Sequence, residues 1–494
     1  MKYLKAAALI ALALVVSAPA FAETQTVKVS GNLDLYSIYR QDYDLRDGND
    51  TGAVPNGTAV RASSTPGGST VNRSDGDAYF MSIAQIEVAA DLTDNVSVVI
   101  RLFNQRDWNS DIFENSSVAG TGDGSIEGDN NTDDEFDVGV DLAYVQMKEI
   151  FYAPLTLTLG RQDIWLGRGL LIGLNYQDPQ NSIQANEFTA STAFDAARAT
   201  LDFAPWTVDA IYIKVDENSN DPEDDRDLYI ANINYQFSEY NAEAEAIYIA
   251  DADRSLVATA TGGASNVTHT LGARAQFDPI AQVTLGGEVA WQFGDYERAI
   301  GVAERDRDGL LYNVFAEYRW DNTWKPSVGI EYLSYSGDSG VTTAGTGDYS
   351  AWNGLFRGPT YGDIRDYHEI FYETALGVDQ RADENSNILS LSAALEPMED
   401  LRIDGKFYFF WTEEDIVAGG TTIDSEIGHE LDIHIVYDYT EDVAFGLGLA
   451  WFFPGEMYDG GQVTTAGTSA APAGLAGDVD AVATQVVSSV KVSF

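Results

Sequence analysis

From Thr26 onward one pattern repeats along the chain. A run of about ten residues alternates apolar with polar or small side chains, and a break follows. Period-two alternation marks a strand whose two faces meet different environments. Strands are predicted at 25–39, 78–92, 96–108, 137–149, 155–165, 193–203, 206–216, 227–237 and 241–251. The remainder fall at 267–277, 281–293, 309–320, 325–336, 386–396, 400–412, 425–439, 443–453 and 482–494. The breaks take turns between short polar ones, such as Thr93-Asp94-Asn95 and Thr440-Glu441-Asp442, and long ones rich in Gly, Asp, Asn, Ser and Thr, such as 40–77, 109–136, 337–385 and 454–481. Alternating short turns and long loops, with an even strand count, is how bacterial outer-membrane barrels are built. The expected fold is all-β, a transmembrane antiparallel β-barrel of about 18 strands with periplasmic turns and extracellular loops.

The two faces argue for a membrane and against a soluble sandwich. Leu271, Ala273, Ala275 and Phe277 share one face, as do Val283, Leu285, Val289, Trp291 and Phe293 on the next strand. Aromatics gather at strand ends, where interfacial belts belong. The opposite faces carry charge in mid-strand, as in Ala242-Glu243-Ala244-Glu245-Ala246. An arginine or lysine in the lipid costs about 2–4 kcal/mol near the midplane, so these charges belong to a watery interior.

The N-terminus agrees. Lys2 and Lys5 precede an apolar run from Ala6 to Val16, and Ala20-Phe21-Ala22 offers small residues to a signal peptidase. The run is shorter than the ~20 residues a spanning helix needs. Residues 1–22 are therefore expected to be a signal peptide, and 23–494 one barrel domain. The last strand alternates Val486, Ser488, Val490, Val492 and ends on Phe494; this resembles the signal read by the barrel-assembly machinery, an expected partner beside outer-membrane lipid.

Composition narrows the function. The chain has 28 Lys and Arg against 78 Asp and Glu, a formal charge of −50. Such a charge repels nucleic acid and attracts divalent cations. With no cysteine, disulfides and thiolate chemistry are excluded. Only four histidines occur, and His429 and His434, five apart on a strand, face opposite sides. No nucleophile motif lies near any of them, and a lumen of about 18 strands is a channel, not a packed pocket. No enzyme, cofactor or resident metal is expected. Residues 109–137 hold nine acids and no Lys or Arg. Among them Asp123, Asp129, Asp133, Asp134, Glu135 and Asp137 are weak candidates for calcium, an ion served by oxygen ligands. The alternative is a solvated acidic rim with loosely held divalent cations.

Several segments resemble the alginate-export family of outer-membrane porins. They are Leu159-Gly160-Arg161-Gln162 with Gly167-Arg168-Gly169, then Phe194-Asp195-Ala196-Ala197-Arg198, Ile427-Gly428-His429-Glu430-Leu431-Asp432 and Phe452-Phe453-Pro454-Gly455. Their order and spacing match the family over about 140–460. The resemblance implies an 18-stranded barrel and marks Arg161, Arg198, Glu430 and Asp432 as candidate pore-lining residues; the alternative role is bracing the wall through salt bridges. Strand parity adds inward bases Arg101, Arg198, Arg274, Arg319, Arg402 and Lys406. It adds inward acids Asp202, Glu243, Glu245, Glu288, Glu317, Glu331, Asp404, Glu430 and Asp432. Six bases against nine acids make a mixed lumen, whereas a polyanion exporter calls for a basic one.

Loop 337–385 contains Trp352-Asn353-Gly354-Leu355-Phe356-Arg357-Gly358-Pro359, which suits a segment folded inward as a constriction or lid; an ordinary surface loop is the alternative. The expectation is an outer-membrane porin for passive diffusion of polar solutes, polysaccharide, small sugar or ion. The alternative is a plugged structural or adhesion barrel.

Overall fold

The computed structural model describes residues 26–42, 45, 76–108, 138–152, 154–177, 183, 185–217, 225–254, 266–296, 305–338, 347–367, 383–418, 421–458 and 481–494. The signal peptide, the acidic candidates of 109–137 and His368 lie outside them.

Eighteen strands form one closed antiparallel sheet. They are β1 (Thr26–Gln41), β2 (Gly76–Thr93), β3 (Val96–Asp107), β4 (Gly139–Met147), β5 (Leu155–Gln162), β6 (Phe194–Phe203), β7 (Trp206–Asp216), β8 (Arg226–Gln236) and β9 (Glu243–Asp253). Then follow β10 (Asn266–Ile280), β11 (Val283–Tyr296), β12 (Arg305–Arg319), β13 (Ser327–Tyr335), β14 (Ser386–Met398), β15 (Leu401–Trp411), β18 (Glu426–Thr440), β19 (Val443–Pro454) and β20 (Ala483–Ser493). A small hairpin, β16 (Val417–Ala418) with β17 (Thr421–Thr422), stands apart in the connection after β15. Each wall strand pairs with its sequence neighbour, and β1 closes on β20 from Asn32↔Ser493 to Gln41↔Thr484. Phe494 extends that seam: its N–H donates to the Gly31 carbonyl at 3.0 Å and its carbonyl accepts from Gly31 N–H at 2.9 Å. With no edge left, every strand backbone is paired inside the sheet, which a hydrocarbon surrounding demands.

Short turns and long connections alternate along the wall, as the breaks in the sequence predict. The short-turn rim carries one aromatic belt, with Trp206 against Tyr235 at 4.5 Å and Tyr318 against Trp320 at 4.6 Å. The long-loop rim carries another, with Phe80 against Trp108 at 5.5 Å and Trp291 against Phe293 at 4.7 Å. Between the belts the outer face exposes Val289, Val314 and Ile330 at 48, 55 and 50%. A soluble fold would bury such a band, whereas lipid covers it here.

β5 ends at Gln162, three residues short of the predicted strand. Gly160 takes a left-handed φ of +118°, and the chain then leaves the wall for the interior.

Candidate functional site

The interior is not an open tube. Two connections from the long-loop side fold into it: a first inward segment within 163–193 and a second at 347–367.

The first is drawn in by apolar burial. Ile164, Leu166, Leu170, Leu171 and Ile172 are at most 7% exposed. They join one cluster with the inner-face residues Ile211, Ile213, Leu228, Ile230, Ile247 and Ile249 of β7–β9. A side chain of this size contributes about 1.5–3 kcal/mol when fully removed from water. Ile211, Ile213, Leu228, Ile230, Ile247 and Ile249 thus give the middle of these three strands an apolar inner face. The Gly-Arg-Gly motif permits the approach. Gly167 has φ +57°, and a Cβ there would meet Glu245 Oε2 at 2.5 Å and Arg274 Nε at 2.8 Å.

The second segment lies beside the first. Gly173 N–H donates to the Phe356 carbonyl at 2.6 Å, Phe356 N–H to Leu171 at 3.1 Å, and Gly358 N–H to Gly169 at 2.9 Å. Wall side chains then satisfy its backbone. Gln292, fully buried, accepts from Asn353 N–H at 2.8 Å and donates to the Asn353 carbonyl at 2.9 Å. Glu430 accepts from Ile364 N–H at 2.6 Å and Arg365 N–H at 2.9 Å, and Asp432 accepts from Asp363 N–H at 3.1 Å. The Tyr361 hydroxyl donates to Glu331 at 2.9 Å. Burial first, then the Glu331 carboxylate, pushes the Tyr361 phenol well above its usual range, so it remains a neutral donor. The constriction or lid reading of loop 337–385 is thus the arrangement seen for 347–367.

The predicted pore-lining charges divide into three groups. Some are buried under the inward segments. Glu430 is 0% and Asp432 1% exposed; both hold the second segment and do not meet solvent. Arg274 pairs with Glu245 at 3.0 Å and with Glu243, directly beneath Gly167. Glu288 stands opposite Arg274 in the register, with one buried carboxylate oxygen unpartnered. Glu331 takes Arg168 at 3.0 Å as well as Tyr361.

A second group forms ion pairs on the wall. Arg101 contacts Asp141 at 2.5 Å, Asp163 at 3.4 Å and Glu87 at 3.8 Å. Arg198 bonds Asp209 at 2.8 Å, and Arg319 grips Glu317 through two 2.8 Å bonds. Arg402 lies 3.4 Å from Asp404, whose other oxygen accepts at 3.3 Å from His434. Arg161 needs separate treatment. Its register partner is Asp195, three residues from Arg198, so alternation puts the two arginines on different faces. Arg161 donates to Asp195 at 3.3 Å and also bonds Ser191 at 2.9 Å and Gln177 at 3.2 Å in the first inward segment. The third group, Asp202 and Lys406, stays exposed.

Two residues outside the predicted pore-lining set prove as important. Arg168 reaches Asn313 at 2.7 Å besides Glu331, and His434 bridges Asp404 on the wall and Asp363 of the second segment at 2.7 Å. Their sequence signals were the Gly-Arg-Gly motif and a lone inward histidine. Among the described residues no three His, Asp or Glu side chains converge as a metal site.

The model of the family described as Alginate export matches residues 56–471. No functionally curated protein matches the chain. Among solved structures, Acinetobacter baumannii OccAB1 is similar at a TM-score of 0.52 with 12% identity, over 96% of this chain and 99% of that one. OccAB2 of the same organism gives 0.51 and 12% over the same shares. Pseudomonas aeruginosa OccK5 (OpdH) gives 0.50 and 10%, over 95% and 99%. At these identities the likeness concerns the fold, an outer-membrane barrel. The 18-strand closure, the lipid-facing band, the charged interior and the family match agree: the chain belongs to the Alginate export family and is an outer-membrane channel for solute passage.

Proposed function

We propose that the channel passes small polar solutes, neutral or cationic, by passive diffusion around a fixed constriction, and that it does not conduct extended polyanions. One observation carries this reading: lumen arginines are matched to carboxylates, in Arg101–Asp141, Arg168–Glu331, Arg198–Asp209, Arg226–Asp251 and Arg274–Glu245. A polyanion needs a track of unopposed positive potential, and paired charges cancel beyond a few ångströms. The overall charge of −50 adds to the barrier. Selectivity then comes from width and field, not from bond chemistry, so the protein is a transporter and not an enzyme.

The same reading includes one domain from Glu23, released by cleavage after Ala22, and recognition of the Phe494 strand by the assembly machinery. Divalent cations would gather at the acidic loop around Asp129, Asp133, Asp134 and Asp137. The packing of both inward segments against the inner wall favours a second reading, a plugged structural or adhesion barrel.

Single-channel recording in planar bilayers under a salt gradient tests both. The expected result is a small, cation-preferring conductance unchanged by added alginate. An anion-selective current blocked by alginate would overturn the proposal. Silence in purified, folded protein would favour the plug.

A further inference from the structure

Between the constriction and the short-turn rim, the inner wall of β4–β6 differs from the rest. It is not apolar, and together with Asp163 at the start of the first inward segment it bounds a cavity of about 360 Å³ whose lining side chains are all polar. The register makes it a grid. Gln146 stands opposite Thr158, and Thr158 opposite Arg198. One step toward the short turns, Thr156 stands opposite Thr200. Neighbouring strands lie about 4.8 Å apart and same-face residues about 6.6 Å apart along a strand, so polar groups repeat in two directions.

Part of this grid is fixed by its own bonds. Asp209 holds Arg198 Nε at 2.8 Å and the Thr200 hydroxyl at 2.6 Å. The Gln162 amide nitrogen lies within hydrogen-bond distance, 3.1–3.3 Å, of three backbone carbonyls that share its two hydrogens. Other groups point into the cavity with no hydrogen-bonding partner among the described residues: the hydroxyls of Tyr144 and Thr156, the Lys148 ammonium and the Asp202 carboxylate. Rigid surroundings with unused donors and acceptors are what a polar ligand site requires.

We propose that this wall is a binding slot for a neutral saccharide in transit. Hydroxyls and amides that both donate and accept suit vicinal diols. With no aliphatic floor, an apolar ligand gains nothing there. A uronate is opposed, because Arg198 is already neutralised by Asp209, while Asp202 and Asp163, 56% exposed and sharing Arg101 with Asp141 and Glu87, present carboxylates to the same space. Lys148 alone does not outweigh them.

The proposal rests on the small-polar-solute reading but is tested separately. Full-length protein in detergent is titrated calorimetrically with cellohexaose and with hexagalacturonate, and the same sugars are added to planar bilayers. Saturable cellohexaose binding is expected, with matching current block and weaker effects of the uronate. Tyr144→Phe with Thr156→Val removes two hydroxyls that hold nothing else in place, and should weaken binding at least about tenfold while heat-modifiable migration shows a folded barrel. Conductance without cellohexaose binding, equal or tighter uronate binding, or an unaffected double variant would each overturn the slot. Binding without conductance would overturn the passage reading alone.

Discussion

Glu430→Ala removes the strongest visible anchor of the second inward segment. The wild-type carboxylate is fully buried and accepts two backbone N–H groups, from Ile364 and Arg365. A buried donor left without a partner costs about 1–3 kcal/mol, so two such losses amount to roughly 2–6 kcal/mol against the closed arrangement. At 1.4 kcal/mol per decade, even the lower figure raises the population of the displaced segment about 30-fold. Water entering the space left by the side chain would bring the cost toward that lower figure. The wall itself is untouched, because its ladder runs through the Glu430 backbone to Tyr408 and Phe452. The barrel should therefore still fold, as heat-modifiable migration on a denaturing gel would show. Single-channel records should gain larger, flickering conductance levels, and liposome-swelling rates should rise for solutes that wild type retards. Glu317→Gln, in an exposed pair near the short-turn rim, serves as the control and should change neither. A folded Glu430→Ala protein with wild-type conductance and swelling would refute the anchoring argument.

Gly362→Val attacks the same contact from the other side. Gly362 has φ +106°, and a Cβ would meet Glu430 Oε2 at 2.6 Å; the conductance phenotype should match that of Glu430→Ala, and a silent substitution would contradict the close packing. Val289→Arg places a charge in the middle of the lipid-facing band and should cost about 2–4 kcal/mol, read as lower thermal stability in detergent or bilayer; unchanged stability would mean the face is misassigned. Lys406→Glu reverses an exposed lumen charge beside Asp404. A two-unit change at ~8 Å in water is worth about 1 kcal/mol, favourable to a cation and unfavourable to an anion, so cation over anion permeability should rise about 30-fold at low salt, and less as salt screens the site, in reversal-potential measurements. No shift would take Lys406 off the solute path.

The architecture was legible in the chain because a barrel strand writes both its environments into alternate residues. Glu243 and Glu245 between alanines, or Arg274 between Ala273 and Ala275, define one wet and one lipid face with no tertiary information. Strand number, rim order and inward parity follow from that local code, and closure by Phe494 follows from an even count. Where alternation broke down, so did the reading. Ile211, Ile213, Leu228 and Ile230 are inward yet apolar, since a folded-in segment, not water, covers them. Arg161, marked by the resemblance and not by parity, follows Gly160, whose left-handed φ disturbs the two-residue period.

What the lumen charges do was decided only by the tertiary structure. Parity says that Glu430, Asp432 and Glu331 point inward, but their partners are contributed by residues 361–365, some 30 to 70 positions away. Whether an inward carboxylate meets a solute or a backbone N–H depends on which loop fills the space before it. That choice is a sum of long-range contacts: Gly167 admitted against Arg274, Phe356 bonded to Leu171, Gln292 matched to Asn353. None of these has a period along the chain, so the sequence alone determined the barrel and its two faces, and the packing of its loops determined the aperture.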